Sequence, residues 1–274
     1  KPLYYSAAID SRQYTAASVI SDTPIVFHTP DGKPYIPQNF RGEWKGDVEL
    51  WYALAHSMNV PSIKVLDGIG FDAAITRAAS LLGIPGDELQ ARGFEPVYPI
   101  GLGVCSVHPI EMARAYAVFA HGGREVVPIA IRTIEDRNGN IFLNHERDVK
   151  ARQDAKGAAA QIISPQTAYV MTQLLENTVR SGTLASPSAN GTKLRYTGSD
   201  GKRYTIPSAG KTGTTQNWAD AWTLGFTPYY TTAVWFGFDK PGQSLGLQLT
   251  GSTLAGPAWA DFMQQAHQGL PYRD

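Results

Sequence analysis

The chain has 274 residues, 24 basic and 24 acidic side chains, and a formal net charge of zero. That length can bury a sizeable core, and the charge balance offers no polycationic face for nucleic acid or an anionic membrane. A single cysteine, Cys105, excludes an internal disulfide. Set in an apolar run, it reads as a buried, inert thiol. The histidines show no metal-ligand spacing, and no apolar run approaches the ~20 residues of a membrane helix. The opening Lys1-Pro2, without an initiator methionine, reads as a fragment or a processed product.

In chain order, Lys1 to Asp10 reads as a short helix or the end of one, with Pro2 in a position suited to a first turn. Residues Asp22 to Gly46, rich in Pro, Gly and Asp, read as an irregular surface loop. Asp47 is placed to cap a helix through Ala55, with Val48, Trp51, Tyr52 and Ala55 at helical spacing. Ser57-Met58-Asn59 ends it, and another helix is expected from Pro61. Asp72 is read as the cap of the next, with Ile75, Ala78, Ala79 and Leu82 as its stripe and Gly83 as its stop. Pro109 opens a helix to Ala120. A hairpin is expected over Val126–Ile134 and Ile141–Leu143, turning at Asn138-Gly139. Residues Asn144 to Gln161 read as a polar, mobile linker. Ser164-Pro165 starts a long helix to about Val179, and Ser181 to Lys202 reads as loop. Strands are expected near 204–214, 219–226 and 231–238, then a helix from Gly256 to about Gln268. Helices first and antiparallel strands later indicate an α+β domain. Its first and last helices are expected to pack on the sheet. No phosphate-cradling glycine loop appears at a strand-to-helix turn.

The densest chemistry lies in Ala209-Gly210-Lys211-Thr212-Gly213-Thr214-Thr215. As an edge strand, it would set Lys211 and Gly213 on one face and Thr212 and Thr214 on the other. Such an edge offers a cation, hydroxyls and free N–H groups, and Gly213 admits a close ligand backbone. The plainer alternative is a polar strand end. Acyl transfer also needs a nucleophile and a base. Ser-x-x-Lys occurs at Ser199–Lys202 and Ser208–Lys211. Neither fits, because the pair needs the shared helix face of positions i and i+3, and these lie in a turn and beside a strand. Ser-x-Asn occurs at Ser57–Asn59, clamped between apolar segments, and at Ser188–Asn190, in a polar loop. Helix-end capping competes as a reading of Ser57 and Asn59. Trp218 and Trp222 read as core residues or as a groove wall. Arg12, Tyr14 and Glu43 have no spacing that places them at a cleft.

The set and order of these motifs resemble the transpeptidase domain of class A (bifunctional) penicillin-binding proteins. The likeness covers nearly the whole chain. It includes Lys1 to Ala8, Tyr14 to Ser18, Asp22-Thr23-Pro24, Pro37-Gln38-Asn39, Ala53 to Pro61, Glu111 to Tyr116, Gly210 to Thr215, Ala219 to Gly225 and Trp235-Phe236-Gly237. It implies the DD-peptidase and serine β-lactamase fold, a mainly antiparallel sheet with helices on both faces. In that family a serine stands three residues before the Lys-Pro pair, so the nucleophile is expected three places upstream of Lys1, outside this sequence. A glycosyltransferase domain and membrane anchor are expected further upstream, which implies the outer face of the bacterial cytoplasmic membrane.

The resemblance also implies roles. The serine attacks the D-Ala-D-Ala carbonyl of a peptidoglycan stem peptide, and Lys1 is its base. Ser57 relays a proton to the leaving D-alanine, and Asn59 holds the substrate amide. Lys211 supplies positive potential, and Thr212, Gly213 and Thr214 form the substrate strand. The threonine hydroxyls take the carboxylate, and the Thr214 N–H belongs to the oxyanion hole. No cofactor, metal or nucleic acid is implied. The expected partners are lipid-linked precursor, nascent glycan and β-lactams. A D,D-carboxypeptidase, a β-lactamase, or a silent or β-lactam-sensing module shares parts of this reading. A class A β-lactamase would need a deacylating glutamate, and the chain has no Glu-x-x-x-Asn.

Overall fold

The computed structural model describes residues 1–29, 32–40, 42–186, 193–240 and 242–274. The first helix is α1 (Pro2–Asp10). The expected irregular loop is instead laced with short strands: β1 (Val19–Asp22), β2 (Phe27–His28), β3 (Pro34–Tyr35) and β4 (Gly46–Glu49). β1 pairs with β4 and β2 with β3, all antiparallel. Asp47 therefore lies in a ladder opposite Ser21 and caps nothing; α2 (Leu50–Ala55) starts after Glu49. α3 (Asn59–Ile69) starts at Asn59 rather than at Pro61, with the proline in its first turn. In α4 (Phe71–Leu82) the cap is Gly70, and Asp72 sits inside the first turn. There its charge still opposes the positive helix end. Gly83 ends this helix at φ 72°, as expected.

α5 (Pro109–Ala120) is held by a reciprocal cap between His108 and Glu111. The hairpin is β5 (Thr133–Glu135) with β6 (Ile141–Asn144). Its first strand is shorter than expected. The linker expected after it is largely a helix, α6 (His145–Lys156). Asn144 accepts the Arg147 N–H at 2.9 Å and starts it. Straight-chain and alanine residues sustain it. Because α6 buries no residue, it has no apolar stripe to betray it. Lys156 and Gln153 tether it to the Glu125 carboxylate and carbonyl.

α7 (Pro165–Arg180) follows its Ser164 cap as expected. The strand expected over 204–214 splits: β7 (Arg195–Thr197) pairs with β8 (Arg203–Thr205), and after Pro207 the chain enters β9 (Ala209–Thr214). β10 (Ala221–Phe226) and β11 (Thr231–Phe236) complete a three-stranded antiparallel sheet in the order β11-β10-β9. A π-helical turn over Gly251–Ala255 leads into α8 (Gly256–His267).

The register sorts the sheet into two faces. Ala209, Leu224 and Phe226 join one apolar core with Tyr4, Tyr5 and Ala8 of α1, Ile63 and Leu66 of α3, and Met171 and Leu175 of α7. The other face packs on Trp259 of α8, which is fully buried with Ile206, Tyr196 and Met263. Helices thus cover both faces, and α8 packs on the sheet as expected. α1 shares the apolar core with the sheet, and its principal neighbours are α3, α4 and α7 of the helical layer.

Gly225 stands opposite Gly210 in the ladder. A Cβ on Gly225 would lie 2.4 Å from the Trp259 ring and 2.9 Å from the Ala209 carbonyl oxygen. Gly225→Ala is therefore expected to lower unfolding free energy by about 1–3 kcal/mol. Urea denaturation would read it, and an unchanged midpoint would show that α8 has room to move off the sheet.

Candidate active site

Three distant segments meet here: Lys1 at the head of α1, the turn Ser57-Met58-Asn59 between α2 and α3, and β9. The Lys1 Nζ donates to the Asn59 Oδ1 at 3.0 Å. The Asn59 Nδ2 donates to the Gln38 carbonyl at 2.9 Å. Because an amine proton donates and a carbonyl only accepts, these partners fix which way the amide faces. Burial lowers the Lys1 pKa to about 8.

Lys211 is 3% exposed. It stands on the apolar face opposite Leu224. Burial pushes its pKa well below the ordinary lysine value, and the charge of Lys1 pushes it further. Its Nζ donates to the Thr212 carbonyl at 2.8 Å. That contact says where the ammonium sits. The Thr215 N–H donates to the Asp220 carbonyl. Hydrogen-bonded pairs alternate along an antiparallel ladder. Hence Gly213 and Lys211 bond to β10, while the N–H and C=O of Thr212 and Thr214 point to the free edge. Lys211 reaches around its own strand to that edge, which is the edge expected from sequence.

The two threonine hydroxyls differ. Thr212, 9% exposed, donates to the Thr183 Oγ1 at 2.6 Å. The exposed Thr214 Oγ1 accepts the Gly251 N–H at 3.0 Å and keeps its own proton for another partner. Gly213 is open except toward Trp222, whose Cβ lies 3.3 Å from an added Cβ. Trp222 is half-buried against the main core. Trp218 is half-buried as well, with a buried Nε1 that has no partner among the described residues.

Ser57 has φ 56°, the left-handed region that a serine rarely adopts. Its N–H still closes on the Leu54 carbonyl. Among the described residues its Oγ has no hydrogen-bond partner. Ser57 therefore ends one helix by a reversal, and Asn59 begins the next. The alternative Ser188–Asn190 lies outside the described residues. Ser199 and Lys202 flank the β7–β8 turn, as read from sequence.

Sequence reading gave Asp22, Asn39, Thr183 and Gly251 no role. Thr183 takes the Ala55 carbonyl on its N–H, the Thr212 hydroxyl on its own and Ser252 on its carbonyl. It ties α2, β9 and the π-helical turn together. Resemblance had marked Asp22 and Asn39, but no local pattern says what they touch. Cys105 is half-buried, with its thiol donating to the Gly93 carbonyl and its pKa pushed up to about 11 by burial. Among the described residues no cluster of three or more His, Cys, Asp or Glu could hold a metal. None of their helices is long and apolar enough to cross a membrane.

The family description "Penicillin binding protein transpeptidase domain" matches residues 1–264. The chain belongs to that family. Penicillin-binding protein 1A of Neisseria lactamica is 36% identical over 99% of this chain, and that of Pseudomonas aeruginosa 33% over 99%. The chain spans 31% and 35% of the length of those two relatives. Among solved structures, penicillin-binding protein 1A from Haemophilus influenzae superposes with a TM-score of 0.79. It is 26% identical, over all of this chain and 42% of the other. A penicillin-binding protein of Mycobacterium tuberculosis in complex with penicillin V shares the fold, with a TM-score of 0.75 at 23% identity, over all of this chain and 69% of the other.

Substitutions at two positions probe the site's cost to the fold. Ser57→Gly removes a left-handed side chain and is expected to raise stability by about 1 kcal/mol. Ser57→Ala keeps the Cβ and should not; equal gains in urea midpoint would sink the strain argument. Lys211→Met removes a buried ammonium and is expected to stabilise by about 1 kcal/mol at pH 7. A lysine whose folded pKa is depressed penalises the fold below that pKa, and the penalty fades as pH rises toward the ordinary value of 10.5. The gain should therefore shrink between pH 7 and pH 10. A gain that grows with pH would contradict the assignment.

Proposed function

We propose that this domain crosslinks peptidoglycan stem peptides by serine acyl transfer from D-Ala-D-Ala, and that β-lactams acylate the same serine. The observation that carries the reading is the meeting of Lys1, Asn59 and Lys211 beside the free edge of β9, in a chain of the transpeptidase family.

The nucleophile is the serine expected three places before Lys1. Three residues along a helix bring two side chains to one face, so its hydroxyl would face the Lys1 amine. Neutral Lys1 takes the hydroxyl proton as the serine oxygen bonds to the penultimate D-alanine carbonyl carbon. The Thr214 N–H, on the free edge, and the serine N–H take the oxyanion. One such donor is worth roughly 10²–10³-fold. The C–N bond then breaks, and the proton passes by way of the Ser57 hydroxyl to the departing D-alanine nitrogen. The ester that remains is attacked by an amine of a second stem peptide. That amine's proton returns to the serine oxygen, leaving an amide crosslink and free enzyme. Asn59 holds the substrate amide with the second hydrogen of its Nδ2. The terminal carboxylate lies by Lys211 and the Thr214 hydroxyl, with Thr212 and Gly213 forming the strand it lies along. The setting is a longer, membrane-anchored protein with a glycosyltransferase domain. It faces the outside of the cytoplasmic membrane, where lipid-linked precursor and nascent glycan meet it.

Intact-mass analysis of the full-length protein after benzylpenicillin tests this. One long-lived penicilloyl adduct is expected, mapping to the third residue before Lys1. Its rate of formation should rise with pH through about 8, because base catalysis needs the neutral amine. No adduct would end the acyl-transfer reading. Rapid loss of the adduct would indicate a β-lactamase.

A further inference from the structure

The start of α3 has no local cap. Met58 precedes it, and no side chain of its own segment bonds its free N–H groups. Asn39 caps it instead, from 20 residues upstream. The Asn39 Oδ1 accepts the Asn59 N–H at 3.1 Å and the Val60 N–H at 3.2 Å. Its Nδ2 donates to the Asp22 Oδ1 at 2.7 Å and to the Glu43 carbonyl at 3.1 Å. All four hydrogen-bonding positions of one amide are used. Asp22 is fully buried, and its Oδ2 accepts the Lys45 N–H at 2.9 Å. The neighbouring Gln38 carbonyl takes one Nδ2 hydrogen of Asn59. The pair 38–39 thus grips Asn59 by backbone and side chain together. Only the Asn59 Oδ1, aimed at Lys1, and one Nδ2 hydrogen remain uncommitted to that loop.

We propose that Asn39, anchored by the buried Asp22 carboxylate, is a positioning residue that sets Asn59 against Lys1 and the substrate amide. The inference rests on the acyl-transfer reading above. Asn39 touches no reacting atom and acts through Asn59. The chain of bonds has a direction: Asp22 can only accept, so Asn39 must turn its Nδ2 inward and its Oδ1 toward α3. Reversing that polarity would turn the amide oxygen toward the Asp22 carboxylate, acceptor against acceptor.

The test measures benzylpenicillin acylation of the full-length protein as a double-mutant cycle. Asn39→Ala is expected to slow acylation roughly 10–100-fold, the scale of a displaced positioning group. In an Asn59→Ala background the same change should cost little, because its target is gone. A fold-wide structural role would repeat the full loss there, and that result would overturn the proposal. Asn39→Asp should also be slow, with two carboxylates facing each other. Adding Asp22→Asn restores one donor and one acceptor, and should recover most of the rate. Failure of this swap while both proteins stay folded would overturn the anchoring by Asp22. Amide hydrogen exchange supplies a readout apart from acylation: the Asn59 and Val60 N–H groups should exchange faster in Asn39→Ala. Unchanged exchange would remove the cap itself. Should the wild-type protein fail to acylate, the acyl-transfer reading falls and this inference falls with it. Normal acylation of Asn39→Ala would overturn this inference alone.

Discussion

Two lysine amines held near each other, Lys211 buried and Lys1 half-buried, are what the rest of the fold has to support. Desolvation opposes the charged form of each, and the nearness of Lys1 opposes it again for Lys211. Left alone, such a pair would drive its two elements apart or draw in water. Both elements are instead fixed from behind. α1 lies within the helical layer, with Tyr4, Tyr5 and Ala8 buried. β9 is pinned to β10 along its whole length. The apolar core thus supplies the stability that the site consumes, the usual direction of exchange at a functional centre.

The turn at Ser57 is held in the same way. A serine at φ 56° persists only when its surroundings over-determine it. Ala55, just before it, gives its carbonyl to the Thr183 N–H. A Cβ on Gly182 would lie 2.2 Å from that carbonyl oxygen, so α2 and the end of α7 touch backbone to backbone. Thr183 then reaches Thr212 on β9. A displacement of the Ser57 turn would have to carry the strand with it. Thr183 bonds both the end of α2 and β9, which lie more than a hundred residues apart in sequence.

How much of this was legible follows from where each signal lives. α4 and α7 carry apolar stripes and their own stops or caps, so periodicity finds them. α6 carries neither a stripe nor a buried side chain, and composition alone cannot separate it from a polar linker. The β1–β4 ladders are two to four residues long, and their pairing is tertiary. A Pro-, Gly- and Asp-rich stretch therefore read as surface loop, although Asp22 within it is fully buried. The KTG strand was legible as an edge from its run of lysine, hydroxyls and glycine, and alternation sorted its two faces. Its partners Lys1 and Asn59 were legible only through family resemblance. Spacing along the chain cannot show that residues 1 and 59 touch.

The partner chosen for Lys1 shows why an asparagine stands at position 59. A carboxylate there would favour the ammonium and raise the Lys1 pKa. A still larger share of the amine would then be protonated at neutral pH, against the base role proposed above. A purely apolar neighbour would leave the amine unoriented and its polar atoms unsatisfied. An amide oxygen gives direction without charge. It accepts one Nζ proton at 3.0 Å and leaves the pKa near 8. The charge needed to hold the arrangement is moved two bonds away, to the buried Asp22 behind Asn39. There a carboxylate can fix geometry without raising the Lys1 pKa. The path from the Asp22 carboxylate through the Asn39 amide to the Asn59 backbone, and from the Asn59 side chain to the amine, separates orientation from electrostatics, which a direct salt bridge would have fused.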